Sequence, residues 1–340
     1  MSDTAQTIFI APSYEAYHRD QLFDMSDPVL NRDGTLEPYG RLRDYLNEQG
    51  VAVHTADYLL NDKTGKEYYS FGLLQNYQKL ARRNNIRLRG FIIMEPPIVA
   101  PRLYHALPEL TATFERVYVH NIIGDGYSLK GVNQSKLHSY FWPQPHKDVL
   151  EPFWSRGERL RRIVAISSNH LPRSFRGELY SARIAAMAHL AKHNAIDLYG
   201  HGWEKWWSRE SMWPSYWRNR VALMSIYRGP CRSKSEVLSQ YCFSLCFENM
   251  EMKGYVTEKI FDCLCAGTIP LYLGAKDIET LISSDAYVDC RQFRSWDEMH
   301  DKIMGMTDEE IDIIREAGRA FIRSERGLQY YNSLIEIVRP

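Results

Sequence analysis

Phe247-Glu248-Asn249, followed by Gly254-Tyr255-Val256-Thr257-Glu258-Lys259-Ile260-Phe261-Asp262, sets acid, amide, hydroxyl and ammonium groups between two apolar runs. Upstream, Cys242 to Phe247 has the unbroken apolar character of a strand buried on both faces. Downstream, Ile260, Leu264 and Cys265 recur at helical spacing. The segment therefore predicts strand, short loop and helix, with the polar groups at the helix entrance. A helix N-terminus carries unpaired N–H groups and a partial positive charge, so it suits an anion. Thr257 and Glu258 fit an ordinary capped helix start. Lys259 does not, because the dipole disfavours a cation in the first turn. That conflict points to a ligand.

Outward from this segment the chain alternates short strands and helices. The first half predicts strands at Thr7–Ala11, 51–55, 88–94 and Arg116–Val119, with helices over 39–49, 67–84 and 101–113. The pattern breaks over 138–157, where Pro143, Pro145 and Pro152 interrupt it. It restarts with strands at 162–167, 195–199, 242–247 and Ile269–Leu273. Helices are expected over 177–193, 255–266 and within 295–337. Such alternation implies parallel sheets covered by helices. Two α/β domains follow, 1–150 and 151–340, with a cleft expected between the C-terminal ends of their strands, where open α/β sheets bind ligands.

The 340 residues are 44% hydrophobic and 25% charged, the balance of a globular protein. With 42 basic and 42 acidic side chains, nonspecific nucleic-acid binding is disfavoured as the main task. No apolar run approaches the roughly 20 residues a membrane-spanning helix needs. Met1 to Gln6 lack the basic flank and apolar stretch of a signal peptide. All six cysteines lie after residue 230 without a CxxC pair, and read as small reduced hydrophobes. These features together suggest a cytoplasmic, bacterial protein.

Phe243-Ser244-Leu245-Cys246-Phe247-Glu248-Asn249, then Gly254 to Ile260, then Ala266-Gly267-Thr268-Ile269-Pro270-Leu271-Tyr272-Leu273-Gly274 resembles the signature of the α1,3/4-fucosyltransferases. The resemblance implies a GT-B fold, with two Rossmann-like domains facing across a cleft and GDP-fucose bound mainly by the C-terminal one. It carries the donor motif onto Glu248, Asn249, Tyr255, Thr257, Glu258 and Lys259. It implies that Glu258 meets the ribose hydroxyls and Lys259 the charged phosphate–sugar region. An ionised carboxylate accepts two hydroxyl hydrogen bonds, and an ammonium follows charge building on a leaving diphosphate. Met250 departs from the pattern, which has Ser there.

Two further places join the resemblance. After the 162–167 strand, Ser168 and Asn169 match a Ser-Asn pair of the family, and Arg183 matches an arginine of the next helix. Arg173 and Arg176, on the intervening connection, remain alternatives for the diphosphate. An arginine fork suits two phosphate oxygens at once. The competing view is a solvated helix-face arginine. Met94-Glu95-Pro96-Pro97 ends another apolar strand, and the resemblance makes Glu95 the general base. From residues alone, an exposed loop glutamate fits equally well.

The reading is thus an inverting α1,3-fucosyltransferase moving L-fucose from GDP-fucose to a glycan hydroxyl. O3 of an N-acetylglucosamine or related sugar in a lipopolysaccharide O-antigen is the expected acceptor. The alternatives are the same chemistry with another GDP-deoxyhexose, or a nucleotide-sugar or glycan-binding module without catalysis. No cofactor or metal is expected. His189 and His193 have i, i+4 spacing, but no third ligand stands out, and one helix face is the simpler expectation. Residues 203–217 hold Trp203, Trp206, Trp207, Trp213 and Trp217, five of the eight tryptophans. Self-packing is favoured over sugar stacking or peripheral contact with the inner face of a membrane.

Overall fold

The rhythm of strands and helices resolves into two parallel sheets. A computed structural model describes residues 7–61, 65–205, 208 and 213–339. The chain divides into two compact units. One joins Met1–Pro145 with Gln329–Pro340, and the other is His146–Leu328.

The first unit holds β1 (Thr7–Ala11), β2 (Ala52–Thr55), β3 (Lys66–Phe71), β4 (Ile86–Ile92), β5 (Arg116–Val119) and β6 (Leu137–Ser139), in the order β2-β1-β3-β4-β5-β6. All its pairings are parallel. Alternate side chains of β1 feed two cores. Phe9 joins Phe91, Phe114 and Leu107 on one face, while Ile8 and Ile10 join Leu42, Phe71 and Ile92 on the other.

The expected helix over 67–84 is a correction. Residues 66–71 form β3, a strand inserted between β1 and β4, and only Tyr77–Leu80 is helical. Tyr68, Tyr69 and Phe71 are buried in the sheet, and Gly72 turns the chain with φ +73°. Aromatic residues flanked by neighbours on both sides gain more as a strand than their helical spacing suggests.

The C-terminus also departs from the expected 151–340 domain. The helix Ser333–Val338 buries Leu334, Ile337 and Val338 beside Leu42 and Leu46 of the first unit. Arg41 Nη2 fastens this return by donating to the carbonyls of Gln144 and Tyr331, at 2.9 and 2.6 Å.

The second unit holds β7 (Leu160–Ile166), β8 (Ile196–Tyr199), β9 (Tyr241–Phe247), β10 (Ile269–Leu273) and β11 (Val288–Asp289), in the order β11-β10-β9-β7-β8, again all parallel. Numbered within its own unit, this is the order 2-1-3-4-5 that the first unit also follows. Every residue of β9 is buried, as its apolar run requires of a central parallel strand. All six cysteines are buried thiols. Among the described residues, no helix is long and apolar enough to cross a membrane.

Candidate active site

In an order of 2-1-3-4-5, the chain leaves the first and third strands in opposite directions, opening a crevice at their C-terminal ends. In the second unit those strands are β7 and β9. The residues leaving them are Ser167-Ser168-Asn169 and Glu248-Asn249. The topology therefore brings together two groups that the sequence holds far apart.

Glu248 lies at the floor and is fully buried. Its Oε1 accepts the Thr257 N–H at 2.8 Å, and its Oε2 accepts the Thr257 hydroxyl at 2.8 Å and Lys259 Nζ at 3.0 Å. Burial alone would push the Lys259 ammonium down. The carboxylates of Glu248 and Glu258 outweigh it and hold Lys259 charged, above the usual lysine range. The lysine that opposes the helix dipole thus has a structural partner. A buried carboxylate without a cation costs several kcal/mol, on the order of 3–5. Gly274 makes room for this pair, since a Cβ there would lie 2.6 Å from Glu248 Cγ.

Thr257 also caps the helix Glu258–Ala266, which buries Ile260, Phe261, Leu264 and Cys265 and ends at Gly267 with φ +74°. Glu258 lies in its first turn with 33% of its side chain exposed, beside Lys259 at 3.8 Å. Burial pushes its carboxyl up, but Lys259 and Lys234 together bring it below the ordinary range. Glu258 is therefore an ionised, reachable acceptor beside an ammonium. Asn249 Nδ2 lies 3.4 Å from the buried Tyr255 hydroxyl.

Arg183 is not a solvated helix-face residue. It projects from the helix Tyr180–Lys192 and is 5% exposed. Its Nη2 donates to the carbonyls of Phe247 and, at 2.9 Å, Glu248. Leu179 N–H meets the Asn249 carbonyl at 2.9 Å, so the helix start is tied to the same strand end. Sequence spacing gives no sign of these carbonyl contacts. Arg173 and Arg176 are exposed on the connection after β7.

Asn169 is buried, with its N–H on the His201 carbonyl at 2.9 Å, while Ser168 is half-buried beside it. Gly200 permits this crossing, because a Cβ there would fall 1.9 Å from the Ser167 carbonyl oxygen. Trp203 and Trp213 are core residues, and Trp203 Nε1 donates to the Ser167 carbonyl at 2.7 Å. Trp217 is 40% exposed. Trp206 and Trp207 lie outside the described residues. Met250 is buried in a bridge to Glu178, with its methyl near Gly177. Packing against that turn accounts for an apolar residue at the position.

Glu95 belongs to the first unit, just beyond β4. It is half-buried, and its carbonyl accepts the Tyr104 hydroxyl at 3.1 Å. Tyr140 bonds the Ile93 carbonyl at 3.0 Å and His120 Nε2 the Met94 carbonyl at 2.7 Å, so the strand end that presents Glu95 is fixed.

Residues 159–312 match the family model described as glycosyltransferase family 10 (fucosyltransferase), C-terminal part. This segment is similar to the C-terminal part of the family 10 glycosyltransferases. The α-(1,3)-fucosyltransferase FucT of Helicobacter pylori is 43% identical over 72 residues, 21% of this chain and 15% of that protein. Human α-(1,3)-fucosyltransferase 7 is 29% identical over 166 residues, 47% of this chain and 40% of that protein. The chain thus spans well under two thirds of the length of these relatives. In structure, an α1,3-fucosyltransferase crystal structure aligns over 95% of this chain and 83% of its own, at 16% identity and TM-score 0.50. TarM aligns over 90% of this chain and 58% of its own, at 12% identity and TM-score 0.55. At these identities the likeness establishes the fold, two parallel-sheet α/β domains of the GT-B type. The sequence resemblance to the fucosyltransferases and the expected fold both stand. The family match covers β7 to β11, which carry the candidate donor residues.

Proposed function

We propose that this glycosyltransferase moves L-fucose from GDP-β-L-fucose to a glycan hydroxyl, with inversion, as an α1,3-fucosyltransferase. The observation that carries the reading is the Glu248–Thr257–Lys259 constellation at the switch point of a family 10-like domain. It presents an ionised carboxylate, Glu258, and a held ammonium, Lys259, at the N-terminus of a helix. In this reading Glu258 accepts the ribose hydroxyls of GDP. Lys259 and the helix N-terminus stabilise negative charge on the departing diphosphate. Asn249, Tyr255, Ser168 and Asn169 shape the donor pocket, and Glu248 holds Lys259 in place.

Arg183 adds positive charge at the same strand end while its Nη2 orders the carbonyls of Phe247 and Glu248. Glu95 of the first unit takes the proton from the acceptor hydroxyl as that oxygen attacks the anomeric carbon opposite GDP. This displacement gives an α-linkage from a β-linked donor. Neither step calls for a metal. An N-acetylglucosamine or galactose unit of a lipopolysaccharide is the acceptor we propose, with the cytoplasm as the place of reaction.

Transfer and hydrolysis across a panel of GDP-sugars, with N-acetylglucosamine- and galactose-containing acceptors, test the proposal. GDP-fucose should be the preferred donor, with an α1,3-linked product by NMR. Turnover of a different GDP-deoxyhexose without turnover of GDP-fucose replaces the donor assignment. GDP-sugar binding without transfer to any acceptor leaves the binding-module alternative.

A further inference from the structure

We infer that the second unit contains a binding site for a divalent transition ion of the zinc class, formed by His189, His193 and Asp297. This inference is independent of the proposed transferase chemistry. The i, i+4 histidine pair lacks a third ligand in sequence because that ligand lies on a distant helix. Asp297 stands in the first turn of the helix Trp296–Met304, separated from His193 by 104 positions. His189 Nε2 lies 2.7 Å and His193 Nε2 3.1 Å from the same Asp297 Oδ1. The three potential ligand atoms all fall within 4.8 Å of one another. Ligands of a tetrahedral zinc ion at 2.0–2.2 Å are about 3.3–3.6 Å apart, so small side-chain adjustments place an ion among them.

The chemistry of the set favours this class of ion. Two imidazole nitrogens and one carboxylate suit zinc, cobalt or nickel, whereas calcium and magnesium prefer all-oxygen surroundings. Neutral imidazole is the form that ligates a metal. His193 stacks on His300, with ring centroids 4.4 Å apart, which restrains its ring. His300 Nδ1 is itself paired with Asp301 at 3.0 Å. The side chains of His189, His193 and Asp297 are 25%, 35% and 59% exposed, so solvent water can complete the coordination.

The ion would join the helix that carries Arg183 to the helix that begins with Trp296. The Trp296 ring packs on Phe247, with centroids 5.9 Å apart, next to Glu248. A bound ion would therefore brace the second unit from outside its candidate donor pocket and stabilise the folded state by linkage.

The test uses untagged full-length protein, stripped with EDTA and titrated with zinc chloride by calorimetry at neutral pH. One saturable zinc per chain and a higher melting temperature with zinc, but not with magnesium, are expected. Cobalt should give the visible absorption of a protein-ligated ion. Asp297→Asn and His193→Ala should each weaken zinc binding by at least ~10–100-fold, the loss typical of even indirect metal partners. Circular dichroism checks that these exposed variants remain folded. Because the chain has 11 histidines, site variants decide the assignment. No saturable zinc uptake by the wild type, or equal affinity in both folded variants, overturns it. In either case the cluster is a histidine–carboxylate contact between two helices.

Discussion

The two units share one strand order but load it differently. At the switch point of the second unit, the residues leaving β7 and β9 surround a buried carboxylate and its ammonium. The corresponding place in the first unit is between β1 and β3. There Pro12 and Ser13 follow one strand and Gly72 the other, and Ser13 Oγ meets the Phe71 carbonyl. The candidate carboxylate of that unit, Glu95, stands beyond β4 instead. A diphosphate needs fixed charge in the floor of its site, whereas a neutral sugar hydroxyl needs one base. The same topology can serve both demands because side chains at strand ends, rather than strand order, carry the chemistry.

The sharpest way to break this division is at Glu95. Glu95→Gln keeps the size of the side chain and removes the proposed base. Transfer should fall about 10²–10⁴-fold, the usual contribution of acid–base catalysis, while GDP affinity stays at the wild-type level. Rate measurements with saturating donor, paired with GDP calorimetry, separate the two. Undiminished transfer removes Glu95 from the mechanism, and loss of GDP binding moves it into the donor site.

The next test concerns the floor of the second unit. Lys259→Met leaves Glu248 buried without its cation and should destabilise that unit by about 3–5 kcal/mol in urea unfolding. GDP affinity should fall as well. Adding Glu248→Gln to Lys259→Met should restore most of the stability without restoring GDP affinity. A single variant within about 1 kcal/mol of wild type would show that the charge is not confined as the geometry indicates. Recovery of GDP binding in the double variant would instead make Lys259 a structural residue alone.

These contacts also mark what the sequence reveals. The β9–helix–β10 region is legible because an apolar run, a Thr257 cap and Gly267 all favour the same local structure. Residues 66–71 mislead because their aromatic spacing fits a helix face until β1 and β4 flank them. Lys259 is legible as an anomaly, but its buried partner is not, since only the folded loop turns Glu248 toward it. Arg183 is legible as a cation, yet its commitment to two carbonyls depends on where the helix lands. The Asp297 ligand escapes sequence reading for the same reason. Motifs carried on one element can be read locally, while partners supplied by another element require the fold.

Acid titration should distinguish the units further. His120 is buried in the first unit, and burial pushes its imidazole down to about 4. The unfolded chain, with an ordinary value of about 6.5, binds the proton first. Stability from this group is therefore complete above about pH 6.5 and declines as pH falls toward about 4, by about 3 kcal/mol in all. In the second unit, burial pushes the Asp197 carboxyl up, but Arg162 and Arg228 hold it below the usual range. Glu258 is lowered by its lysines despite burial. Their stabilisation is present above the ordinary carboxylate values and is lost only as pH falls through their depressed ones. Melting temperatures of wild type and His120→Gln across this range should converge near pH 4. A constant difference between them assigns the acid sensitivity to another group.

The smallest expected effect tests how the second unit divides charge between its interior and its surface. Arg183 is enclosed and bonded to carbonyls, while Arg173 and Arg176 are exposed on the connection after β7. Exposed charges are solvated and screened, and contribute about 0.2–1 kcal/mol to a contact. Arg173→Ala with Arg176→Ala should therefore leave the melting temperature unchanged and weaken GDP binding by at most about fivefold, less in high salt. Arg183→Ala should reduce both stability and GDP affinity, because it uncouples two strand-end carbonyls as it removes a charge. If the double surface variant instead loses GDP binding more than tenfold with its stability intact, the connection after β7 closes over the diphosphate. Arg183 would then be a positioning residue, and the donor site would rely on a loop as much as on the switch point beneath it.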